Sequence, residues 1–83
     1  MEEQIRAVLR DFGRLPVDAY ALNVNDDLYR AGLTSHASVN VMLGLEDAFD
    51  IEFPDALLRK STFESIDAIR EAVSSLADTQ EAV

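Results

Sequence analysis

Ser35 and the chain's only histidine, His36, are adjacent, a hydroxyl nucleophile next to a base that works near neutral pH. Their spacing argues against catalysis. The pair opens a periodic apolar segment, and consecutive residues of a helix project about 100° apart. The imidazole therefore cannot readily reach the preceding hydroxyl as a general base, and no Gly-x-Ser-x-Gly elbow is present. Glu46 and Asp47 are paired carboxylates, a pattern that usually marks a solvated helix face. The acidic loop before Ser35 invites a calcium test. An EF-hand register begun at Asn23 places Asn25 and Asp27 correctly, but then puts Leu28 where Gly must stand and Thr34 where a bidentate Glu must stand. Calcium fails on both counts. What remains is a serine at a helix start, read from its residues either as a plain N-cap or as a place where a negative group such as a phosphodiester meets free helix N–H groups.

The elements that would position these residues are helical. Ile5, Val8, Leu9 and Phe12 fall at i, i+3, i+4 and i+7, which predicts a helix over 2–12 that stops at Gly13. Residues 14–34 hold Pro16, Asn23, Asn25, Asp26, Asp27 and Gly32 without a sustained period, so they read as a long connection. Leu15, Val17, Tyr20, Leu22, Val24, Leu28 and Tyr29 should pin it to the core, with a helical turn or two after Pro16. A second helix is expected over 35–50, capped by Ser35 and burying an arc of Val41, Met42, Leu45, Ala48 and Phe49. Val39 and Leu43 lie off that arc with His36, Asn40 and Asp47, an apolar strip ringed by polar groups and a candidate interaction surface. Pro54 suits the start of a short helix over 54–59, and Ser61 with Glu64 has the form of a capping box, Thr62 being the competing cap. Phe63, Ile66, Ile69, Val73 and Leu76 mark a last helix over 62–77, with 78–83 a fraying tail. Strand alternation is absent. The expected fold is one all-α domain over 1–83, a four-helix bundle with a long first loop and a short third helix.

Composition narrows the function further. Seven Lys and Arg against sixteen Asp and Glu give a net charge of −9 over 83 residues. Such a surface repels nucleic acid and anionic lipid and favours partners with basic patches. A hydrophobic share of 48% suffices for a core, so the acidity does not imply disorder. Zero cysteines exclude a disulfide, a thiolate metal site and a cysteine nucleophile. An acidic N-terminus without a following apolar run is no secretory signal, and no segment approaches membrane-span length. We therefore expect a monomeric cytoplasmic protein. An unmodified acidic adaptor that binds basic partners through Val39 and Leu43 is compatible with all of this, as is, less economically, a hydrolase using Ser35 and His36.

Asp27-Leu28-Tyr29-Arg30-Ala31-Gly32-Leu33-Thr34-Ser35-His36, then Val39 to Phe49, then Asp50-Ile51-Glu52-Phe53-Pro54-Asp55, resembles the acyl carrier protein family. In that family Gly-x-Asp-Ser-Leu opens the second helix, Leu-Glu-x-x-Phe ends it, and an aliphatic-Pro-Asp step leads to a short third helix. Gly32, Ser35, Leu45, Glu46, Phe49, Pro54 and Asp55 match at the right spacings, and the resemblance spans roughly residues 3–77. It implies that Ser35 receives 4′-phosphopantetheine from coenzyme A through a phosphopantetheinyl transferase. The thiol at the end of that arm would carry an acyl or aminoacyl cargo as a thioester, supplying the sulfur the polypeptide lacks. The resemblance also implies a carrier rather than a catalyst. A cargo-loading ligase or transferase and downstream acyl-processing enzymes would recognise its second helix through His36, Val39, Asn40, Leu43, Glu46 and Asp47. Several positions depart from the family pattern. Thr34 replaces the Asp before the serine, His36 the Leu after it, and Ala37, Asn40 and Ala56-Leu57-Leu58 stand where fatty-acid carriers usually have acids. These changes remove charge around Ser35 and point to a specialised carrier loaded by one dedicated ligase. The Leu33-Thr34-Ser35-His36 run is similar to small free-standing carriers charged with an amino acid; the residues themselves leave fatty acyl, polyketide and amino acid cargo open.

Overall fold

Four helices account for most of the chain in the computed structural model, which describes the backbone of residues 1–81 and the side chains of 1–79. They are α1 (Glu2–Phe12), α2 (Leu28–Ala31), α3 (Ser35–Phe49) and α4 (Ile66–Glu81), with 3-10 turns at Ala19–Ala21, Asp55–Leu57 and Lys60–Phe63. No strand occurs among the described residues, and the fold is an all-α bundle. Ile5, Leu9, Val41, Leu45, Ile66, Ile69 and Val73 interlock at its centre, each fully buried. At about 25 cal/mol per Å² of apolar surface, full burial of such a side chain contributes roughly 1.5–3 kcal/mol. Gly44 lets α1 and α3 approach: a Cβ there would lie 2.7 Å from the Phe12 ring and 2.9 Å from Val8. Phe12 reaches this contact while remaining 45% exposed, so it covers the helix pair from outside instead of filling the core.

The long connection is tied down by groups far apart in sequence. Arg6, on α1, donates to the carbonyls of Ala19 at 2.8 Å and Leu22 at 2.6 Å, and also pairs with Glu2. Leu28 donates its N–H to Glu64 O at 2.7 Å, and Asp67 donates to Val24 O at 2.9 Å. Leu28 itself is wholly buried.

Several expected boundaries are corrected. The helical turn expected after Pro16 exists as Ala19–Ala21, but the connection also holds α2, which the sequence reading missed. Asp27 caps α2 by accepting from the N–H groups of Tyr29 and Arg30. The segment 54–59 is not an α-helix. Only the 3-10 turn Asp55–Leu57 forms, none of its residues is buried, and Leu58 leaves helical geometry at φ −84°, ψ 67°. So short a segment, with no buried face, cannot offset the cost of nucleating an α-helix. The last helix begins at Ile66 and not at 62, because Thr62 and Phe63 are drawn into the core within the Lys60–Phe63 turn. Phe63 meets Phe53 there with ring centroids 5.5 Å apart. The Ser61–Glu64 capping box accordingly gives way to Ser65, whose hydroxyl accepts from Ala68 N–H at 3.0 Å. Instead of fraying from 78, α4 continues to Glu81; residues 82–83 lie outside the described residues. Ala48, expected on the buried arc of α3, is exposed.

Candidate functional site

The start of α3 differs from the expectation in one residue. Thr34, not Ser35, is the N-cap: its hydroxyl accepts from Ala37 N–H at 3.0 Å, and its backbone geometry is extended at φ −95°, ψ 162°. Ser35 is thereby the first helical residue, with its side chain exposed and released from capping. Ser38 donates its hydroxyl to Ser35 O at 2.7 Å, and its N–H closes the first helical bond to Thr34 O at 2.9 Å. The amides of Ser35 and His36 precede that first bond, so they face the helix mouth without an intrahelical acceptor. No acidic residue occupies the first turn of α3. A negative group on Ser35 would meet the favourable end of the helix dipole.

What aims Ser35 is the turn before it. Gly32 ends α2 at φ 124°, and Leu33 N–H bonds back to Leu28 O at 2.9 Å. A Cβ on Gly32 would lie 2.5 Å from Pro16 Cδ, so the loop after α1 presses directly on this turn. Glycine meets both demands, backbone conformation and space.

Beside Ser35 opens a cleft of about 360 Å³, lined by Tyr29, Ser35, Ser38, Val39, Met42, Leu58, Arg59, Lys60 and Phe63. Its walls come from α2, α3, the Leu58-Arg59 link between the two turns, and the Lys60–Phe63 turn. Lys60 Nζ lies 4.8 Å over the centre of the Tyr29 ring. Burial pushes the Tyr29 phenol above its ordinary value, the neighbouring Ser38 hydroxyl pulls it down, and the charges of Asp27 and Glu64 raise it further.

The residues singled out on α3 do not all share one surface. His36, Leu43 and Asp47 are exposed and Asn40 half-buried, in a stripe at spacings of four, three and four residues. Val39 joins that stripe to the cleft, and it and Leu43 are each 53% exposed. Glu46 is half-buried, and its carboxylate accepts from Phe53 N–H at 2.8 Å, which commits it to the chain reversal after α3. The sequence reading placed Leu58 among the apolar changes around Ser35 but did not single out Tyr29, Arg59 and Lys60 as its neighbours. The one available signal was the Arg59-Lys60 pair, two adjacent cations in an acidic chain.

A serine freed at a helix start beside an apolar cleft, on an all-α bundle, is the arrangement of a carrier domain, and the chain belongs to the phosphopantetheine attachment site family, which matches residues 3–73. An aminoacyl carrier protein from Agrobacterium fabrum (strain C58) is 50% identical over 82 residues, 99% of each chain. Among solved structures, the chain is similar to one containing a carrier protein from Agrobacterium tumefaciens complexed with an engineered Bradyrhizobium japonicum glycine:[carrier protein] ligase and AMP. The TM-score is 0.87 at 51% identity, covering 89% of this chain and 99% of that one. A solution structure of a protein from Agrobacterium tumefaciens matches with a TM-score of 0.78 and 49% identity over the full length of both. No helix among the described residues is long and apolar enough to cross a membrane.

Proposed function

We propose that the protein carries an amino acid as a thioester on a 4′-phosphopantetheine arm attached to Ser35, and works as a cytoplasmic monomer without catalysing a reaction itself. The observation that carries this reading is the exposed Ser35 hydroxyl, freed from capping by Thr34 at the mouth of α3. The residues fit the group. Free N–H groups favour its phosphodiester, no carboxylate lines the adjoining cleft, and that cleft is of small-ligand size. When bound, the arm supplies the thiol that a chain without cysteine cannot. The amino acid cargo is supported by full-length similarity to an aminoacyl carrier protein and to a carrier protein complexed with a glycine-specific ligase.

A phosphopantetheinyl transferase would load the arm, a dedicated ligase the amino acid, and downstream enzymes would take it up. Their contact surface on this reading is the stripe of His36, Asn40, Leu43 and Asp47 with Val39 at its edge. Glu46 contributes indirectly, by holding the end of α3. Incubation with coenzyme A and a broad-specificity transferase should raise the intact mass by one arm, and the Ser35→Ala variant should gain nothing. A native chain that gains no arm, or a variant that still gains one, overturns the attachment. A holo-protein that accepts only fatty acyl groups, and no amino acid from a dedicated ligase, overturns the cargo. Partner binding undiminished in Ser35→Ala would favour instead an unmodified adaptor acting through the exposed Val39 and Leu43.

A further inference from the structure

We propose that Arg59 and Lys60 hold the phosphodiester of the arm at the cleft beside Ser35, so that the unloaded arm rests against Val39, Met42, Leu58 and Phe63 instead of trailing in solvent. This rests on attachment at Ser35. The charge distribution carries the argument. Sixteen of 83 residues are acidic and seven basic, yet the nine residues lining the cleft include two of those bases and none of the acids. The cleft lining is thus basic on an acidic chain, with Asp27 and Glu64 outside the lining but close enough to act on Tyr29.

The two cations are also uncommitted. Arg6, Arg10 and Arg70 are paired with Glu2, Asp11 and Asp67, while Arg14 and Arg30, outside the cleft, have no ion pair among the described residues. Arg59 and Lys60 have no carboxylate within 4 Å among the described residues. Instead Lys60 lies over the Tyr29 ring, which holds its ammonium at the cleft while leaving its N–H donors open to an oxyanion. Arg59 precedes the Lys60–Phe63 turn in extended conformation, φ −143° and ψ 159°. Val39, Met42, Leu58 and Phe63 make much of the remaining lining apolar, which suits the branched dimethyl segment that follows the phosphate in this arm. Phosphate and hydrocarbon thus each find a matching group in the lining.

The test is isotope-filtered nuclear Overhauser spectroscopy on holo-protein whose polypeptide is labelled with carbon-13 and nitrogen-15 and whose arm is not. Cross-peaks are expected from the arm's geminal methyls to methyl groups of Val39, Met42 and Leu58. In R59Q/K60Q they should fall roughly fivefold, the effect expected of two solvent-open charge contacts. The charge-conserving R59K/K60R should retain them. Raising the salt concentration on native holo-protein should weaken them in step, which tests the charge contact without any variant. Gain of the arm by mass without these cross-peaks overturns this inference and leaves attachment standing; failure to gain the arm overturns the attachment itself. Cross-peaks indifferent to both the glutamine pair and salt overturn the role of the cations.

Discussion

Gly32 turns the chain at φ 124° within contact distance of Pro16, so any side chain there meets both an unfavourable backbone conformation and a clash. Gly32→Ala should cost about 1–3 kcal/mol in urea unfolding, as enforced backbone strain generally does. The same variant should slow arm loading, because this turn aims Ser35. Tyr29 gives a pH prediction. Its phenol is raised chiefly by burial, so the folded state favours the neutral form. That contribution to stability is fully present below the ordinary phenol range and is lost as pH rises through the raised value. Ultraviolet titration of Tyr20→Phe, which leaves Tyr29 as the lone phenol, should show ionisation above that of free tyrosine, with thermal stability falling over the same interval. The residues alone left Ser35 open between a plain N-cap and an anion site, and only the resemblance to the carrier family singled it out for attachment. Which of two neighbouring hydroxyls caps was not legible, since Thr34 and Ser35 have equivalent capping groups and only the backbone path through Leu33 decides. Nor could local pattern show that Glu46 turns back to Phe53, because that bond depends on where the chain goes after Asp50.

At the scale of elements, the connection between α1 and α3 behaves as built structure. Arg6 holds it through two carbonyls and its side chain is only 11% exposed. Arg6→Ala should leave those carbonyls without their donor and cost about 1–3 kcal/mol. Amide hydrogen exchange should then accelerate across 19–28 more than within α4. In sequence Arg6 reads as an ordinary i,i+4 partner of Glu2; its second role depends on a loop thirteen to sixteen residues away. Helices α1, α3 and α4 were legible from apolar periodicity, which reports directly on a buried face. The short α2 carried signals too, Asp27 as cap and Gly32 as terminator, but four residues are too few to establish a period. The 54–59 helix failed for the converse reason. Pro54 opens helices well, yet no buried face follows to sustain one, and the cations at the cleft lie just before and at the start of the Lys60–Phe63 turn.

For the molecule as a whole, a net charge of −9 sets a background that local contacts must overcome. Screening relieves that repulsion, so raising ionic strength from about 0.01 M to about 0.15 M should increase Tm by several degrees, as a change near 1 kcal/mol does in a domain of this size. A Tm that falls over this range would show that the specific ion pairs outweigh the general repulsion. The acids gather about the two ends of α3, with Asp26 and Asp27 before it and Asp47 and Asp50 at its far end. On the proposed function they would set approach rates for basic partners, while Val39 and Leu43 would govern how long a partner stays. The two bonds that dock the long connection onto the start of α4, Leu28 N–H to Glu64 O and Asp67 N–H to Val24 O, use main-chain atoms alone. Side-chain identity is therefore largely decoupled from the loop's path at exposed positions such as Asn23 and Asn25. Those positions can drift through evolution, or accept a fluorescent label or an affinity handle, while Ser35 keeps its aim.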